Sequence, residues 1–94
     1  MAKYVVISSI TEEGATTLKN RPQRIKEVND ELEKMGVKVL EQYAVLGEFD
    51  FLNIVEAPDN ATITHAMLEL ASRGGIRTKT MPIMAIEELV KELS

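Results

Sequence analysis

Two segments that read as β-strands are apolar on both of their faces, and that feature limits the folds open to this chain more than any other. Side chains along a strand alternate between the faces of a sheet, so a sheet with one wet face should alternate apolar with polar residues. Tyr4-Val5-Val6-Ile7 does not, because Tyr4 and Val6 face one way while Val5 and Ile7 face the other. Further on, Phe51 and Val55 oppose Leu52 and Ile54 in the same manner. A hairpin turning at Gly47–Asp50 would add Leu40, Gln42, Ala44 and Leu46 to the Phe51 face. Val37, Val39, Glu41, Tyr43 and Val45 would join the Leu52 face. Both sides of such a sheet need cover. Helices supply it on one side, and a second copy of the chain is the expected cover on the other, most simply about a twofold axis, with a helix at the C-terminal end of the chain the alternative cover for part of that face.

Periodicity supplies the remaining elements. After the first strand, Thr11 with Glu12-Glu13 marks a helix start, its acids at the positive end of the helix dipole. Pro22 opens a second helix in which Ile25, Val28, Leu32 and Met35 form one stripe, and Gly36 ends it. Val37 to Leu46 and Phe51 to Ala57 form the hairpin. Asp59 or Asn60 caps a helix with Ile63, Ala66, Met67, Leu70 and Ala71 on one face, ending at Gly74-Gly75. Ile76 to Ile83 is the last strand, and Pro82 suits it to a sheet edge or a bulge. Ile86, Leu89, Val90 and Leu93 make a short amphipathic C-terminal helix. This order predicts an α+β, ferredoxin-like βαββαβ antiparallel sheet with the helices on one face.

At 94 residues the chain is expected to be a single domain spanning residues 1–94. It has no cysteine, so it offers no disulfide, thiolate metal site or thiol nucleophile. Its opening residues do not read as a signal peptide, and no apolar run approaches the ~20 residues of a spanning helix, so a cytoplasmic location and no membrane partner are expected. The formal net charge of −4 and the lack of a basic stripe argue against nucleic acid.

Little in the chain points to catalysis. His65 is the one histidine, without the convergent ligands a metal needs, and Ser8 and Ser9 end a strand with no visible base. No catalytic residue, metal or cofactor is assigned. Glu48 and Asp50 flank Phe49 in the hairpin turn, where acidic side chains commonly bond backbone N–H groups and Gly47 is expected to supply a positive φ. If the chain holds a ligand, this turn is the first place to look, with Arg77 able to grip a carboxylate bidentately. Tyr43, Gln42 and Asn53 interrupt apolar strands and need polar partners. The candidate ligand-binding residues are therefore Tyr43, Gly47, Asp50, Asn53 and Arg77.

Leu46-Gly47-Glu48-Phe49-Asp50-Phe51, followed by Glu56-Ala57-Pro58-Asp59 and later by Ile76-Arg77-Thr78-Lys79-Thr80, resembles the GYD domain family, with Phe49 where the family name has Tyr. Thr11 to Ile25, containing Arg21-Pro22-Gln23-Arg24, is similar to that family's first connection, and the likeness runs from Tyr4 to about Glu88. It implies a dimeric α/β barrel and a family whose biochemical role is undefined. The hairpin turn and final strand are also similar, more distantly, to the effector-binding domains of leucine-responsive regulators, which bind amino acids between subunits. A likeness to small monooxygenases is one of fold only.

The resulting expectation is a stand-alone homo-oligomeric GYD-type domain whose partners are itself and a small anionic or zwitterionic metabolite. A cofactor-independent enzyme, monooxygenase- or isomerase-like, is the alternative. A pure assembly module is the third.

Overall fold

The chain order seen in a computed structural model, which describes Met1–Ser94, follows the pattern of apolar periods. β1 (Ala2–Ile10) leads into α1 (Glu12–Asn20) and α2 (Arg24–Lys34), then β2 (Lys38–Ala44) and β3 (Phe51–Ala57). α3 (Asn60–Ser72), β4 (Ile76–Ile83) and α4 (Ile86–Leu93) complete it. The sheet is four-stranded in the order β2-β3-β1-β4, with every pair antiparallel. This is the ferredoxin-like arrangement. The two strands that are apolar on both faces, β1 and β3, take the inner positions. Pro82 lies on the edge strand β4, where its missing N–H costs no ladder bond.

Helix ends follow from local chemistry. Thr11 Oγ1 accepts from the Gly14 N–H at 3.1 Å and starts α1. The Asp59 carboxylate accepts from the Thr62 N–H at 2.9 Å and from its hydroxyl at 2.7 Å, starting α3. These two bonds, the backbone one first, hold the Asp59 carboxyl below the usual carboxylate range. Gly36 terminates α2 with φ +90°.

The core lies between the sheet and the helices. Tyr4, Val6, Val55 and Ala57 from the strands meet Leu32, Ile63, Ala66, Met67 and Leu70 from α2 and α3, with Val37 between them. Tyr4 buries its ring there and donates its hydroxyl to Asn60 Oδ1 at 2.6 Å, tying β1 to the start of α3.

The β2–β3 register departs from simple alternation at one point. Pairing shifts between Val39 and Glu41, so Leu40 is an extra residue and Val39 lies opposite Val55 on the helix side. Alternation alone would group Val39 with Glu41 and Tyr43. A bulge inserts one residue and reverses the facing of everything before it. The cluster around the turn is placed as expected, with Gln42 and Ala44 opposite Asn53 and Phe51.

Nothing in the chain covers the second sheet face. Val5, Ile7, Leu52 and Ile54 are half-buried there by one another, while Met81 and Ile83 are 44% and 39% exposed. α4 is not a lid over this face, because its own stripe of Ile86, Leu89, Val90 and Leu93 is exposed.

Candidate functional site

The open face can be read row by row across the strands. One row runs Glu41, Ile54, Val5, Met81, and the next runs Tyr43, Leu52, Ile7, Lys79. Its centre is apolar. Lys3 and Glu56 border it at one end and Arg77 at the other, giving a charged rim around an apolar middle, as protein interfaces have. Tyr43 sits on this face, 54% exposed, and donates to Glu41 Oε2 at 2.7 Å. That bond to a carboxylate raises the phenol above its ordinary value.

The opposite face forms the floor of a cleft of about 500 Å³ walled by α1, α2 and α3. Its lining is mainly apolar, including Val6, Ile10, Val28, Phe51 and Ile76. α1 leaves this space because none of its residues is fully buried, so it stands off the sheet rather than packing down on it. Two polar side chains lie in the floor. Ser8 is 2% exposed, and both Ser8 Oγ and Asn53 Oδ1 are buried without a hydrogen-bond partner. Beside the cleft, Asn29 and Gln42 exchange two amide bonds at 2.8 and 3.1 Å and fasten α2 to the edge strand. Arg24 and Arg73 line it too, both bonded to Glu31. The hydrogen bond from Arg73, more than any other contact, holds the Glu31 carboxyl below its ordinary value.

The structure separates the residues that the sequence pointed to. Tyr43 and Arg77 share the open face but lie on its opposite edge strands. Asn53 is on the cleft side. Asp50 faces neither: its carboxylate accepts from the Ile10 N–H at 2.8 Å, and its own N–H donates to the Ser8 carbonyl at 2.9 Å. Gly47 is exposed and does not have the positive φ expected of it, which in this chain belongs to Gly36 and Gly74. The turn closes through Val45 and Asp50 backbone groups instead. His65 is exposed on α3. Ser8, set aside in the sequence, is the most buried polar side chain, and the alternation Tyr4, Val6, Ser8 is the signal that marks it.

Fold and surface together define a ferredoxin-like α+β domain with one sheet face bare and a cleft under its helices. The chain belongs to the GYD domain family, whose model matches residues 4–92. It is 51% identical over 94 residues, 99% of each chain, to a protein of Thermus thermophilus named "Glutamine synthetase and cystathionine beta-lyase binding protein". Among solved structures it is similar to MtbAldR, with TM-score 0.67 and 15% identity over 89% of this chain and 52% of that one, so it spans about half that protein's length. FFRP-DM1 matches with TM-score 0.59 and 22% identity, covering 89% of this chain and all of that one. TTHA0845, also from Thermus thermophilus, matches with TM-score 0.57 and 20% identity over 90% of this chain and 95% of that one. At these identities the likeness shows the fold. MtbAldR and FFRP-DM1 are of the leucine-responsive regulator type, which agrees with the resemblance seen at the hairpin turn and last strand.

One expectation is overturned. The sequence named a second copy of the chain and a small molecule as the partners, whereas the Thermus relative is named for binding two other proteins. The reason is physical. A two-sided apolar pattern shows that a face needs cover, but it carries no information about the molecule that covers it.

Proposed function

We infer that this chain is a protein-docking module whose partners are enzymes of the kind its relative is named for, with glutamine synthetase and cystathionine beta-lyase the first candidates. The observation that carries this reading is the 51% identity sustained over 99% of both chains, which leaves almost no part of either unmatched by the other. The bare sheet face supports it. Val5, Ile7, Leu52 and Ile54 form an apolar centre ringed by Lys3, Glu41, Glu56, Arg77 and Lys79, the layout of a docking patch rather than of a solvated sheet. Ile54 lies at the middle of that centre and has no role in the core beneath it.

The test is interferometry with the chain immobilised and each purified enzyme in solution. Saturable binding to at least one enzyme is the expected result. No binding to either at tens of micromolar would overturn the reading.

A further inference from the structure

We propose that the outer edge of β4 binds an extended peptide segment of another protein, one that alternates acidic with apolar residues and joins the sheet as a fifth, antiparallel strand. This surface is distinct from the bare face, and the proposal goes beyond the docking role inferred above without depending on it.

β4 ends the strand order and pairs only with β1, in an unbroken register from Ile76 opposite Ile10 to Ile83 opposite Lys3. An antiparallel strand turns the backbone groups of alternate residues toward one neighbour and those between them toward the other side. Pro82 has no N–H to give to β1, so its position belongs to the outward set. Thr80 and Thr78 precede it at steps of two and share that orientation. No turn, loop or cap bond reaches their backbone groups. A regular row of unpaired donors and acceptors is a template for another strand. The opposite edge of the sheet is not equivalent. β2 carries the extra residue Leu40 in mid-strand, and such a bulge guards an edge against pairing.

Two flanking features select the peptide. On the helix side, α3 and β4 bound a groove of about 480 Å³, lined by Ile63, Met67 and Leu68 from the helix and by Thr78, Thr80 and Pro82 from the strand. Leu68 is 68% exposed there, and no residue of α4 enters the groove. On the bare-face side β4 presents Arg77 and Lys79, both exposed and neither in an ion pair with a carboxylate of this chain. The side chains of an added strand alternate in step with those of β4. Residues opposite Thr78 and Thr80 project over the groove, which suits apolar side chains. Residues opposite Arg77 and Lys79 are acidic, because unlike charges directly across a ladder stabilise it and like charges oppose it. Backbone bonds supply the affinity and the alternate side chains the choice of sequence, as in strand addition generally.

The test is an NMR titration of the isotope-labelled full-length chain with the end-blocked peptide Glu-Val-Glu-Val-Glu-Val. Saturable shifts at the Thr78 and Thr80 amides, with slower hydrogen exchange there, are the expected result. Methylating the valine nitrogens, which face β4 in this pairing, should abolish binding. Methylating the glutamate nitrogens, which face water, should leave the affinity within twofold. Leu68→Asp, at an exposed position, should weaken binding at least fivefold with an unchanged melting temperature. Arg77→Glu combined with Lys79→Glu should reverse the preference, from this peptide to its counterpart with lysine in place of glutamate. No shift at β4 with millimolar peptide overturns the proposal, as does equal affinity for the two methylated peptides or binding that survives both Leu68→Asp and the charge reversal. Exchange protection of Thr78 and Thr80 that rises with the concentration of the chain alone also overturns it, since a second copy would then fill the edge. The bare face is judged separately, by enzyme binding.

Discussion

The carboxylate of Asp50 accepts a 2.8 Å hydrogen bond from the backbone N–H of Ile10, joining the β2–β3 turn to the far end of β1. The Asp50 N–H returns a bond to the Ser8 carbonyl at 2.9 Å. The acid in the turn is thus a tertiary clamp rather than a local turn-former. Replacing it leaves the Ile10 amide, which is partly shielded, without its partner. Asp50→Ala should therefore lower stability by about 1–2 kcal/mol in urea titration at neutral pH. Binding to a protein partner on the bare face should survive. A variant as stable as wild type would show that the clamp contributes nothing.

Glycines separate into two kinds by what surrounds them. A Cβ on Gly47 would meet only Val45 Cγ1 at 3.8 Å, an ordinary contact, and the backbone there is not left-handed. Gly47→Val should change stability by no more than about 0.5 kcal/mol. A Cβ on Gly14 would lie 2.1 Å from the Gly75 carbonyl oxygen, which also accepts from the Thr11 N–H at 3.1 Å. Gly14→Ala has to push α1 away from the α3–β4 turn and should cost at least about 2 kcal/mol. Thermal melts of the two variants side by side decide this, and the reverse order would contradict it.

Arg73 on α3 bonds Glu31 on α2, and Arg24 adds a contact at 3.3 Å. Glu31 therefore holds its proton less tightly in the folded chain than in the unfolded one. Its contribution is complete at neutral pH and is lost as pH falls below about 4.3, the ordinary glutamate value, and then through the lower folded value. Both side chains are 36% exposed, so water screening limits the effect to less than about 1 kcal/mol. The stability gap between wild type and Glu31→Gln should be present at pH 7, shrink in salt and narrow as the pH falls below the ordinary glutamate range. A gap that stays constant with pH would rule out this linkage.

Strong local signals made much of the fold legible. The β-branched runs of β1 and β3, the caps at Thr11 and Asp59, and the stop at Gly36 all act within a few residues of where they stand. Pro82 pointed to a sheet edge or a bulge for the same reason, and its strand is at the edge. What escaped is non-local. The extra residue at Leu40 follows from β2 fitting β3, which a strand's own alternation does not encode. Asp50 reads as a turn residue because its true partner, Ile10, lies forty positions away. The candidate site was the least legible part. Tyr43 and Arg77 look like potential neighbours only until the strand order β2-β3-β1-β4 sets them on opposite edges. Ser8 resembles a solvated strand end until the helices close over it.

The docking role is tested most directly by sedimentation velocity of mixtures containing the chain and one of the two enzymes for which its relative is named. Wild type should co-sediment with at least one enzyme at a fixed stoichiometry. Ile54→Asp, which places a charge at the centre of the bare face and outside the core, should keep its melting transition and lose that complex by at least tenfold in affinity. A wild-type chain that sediments alone beside both enzymes, or an Ile54→Asp variant that binds as wild type does, would contradict a docking role for this face.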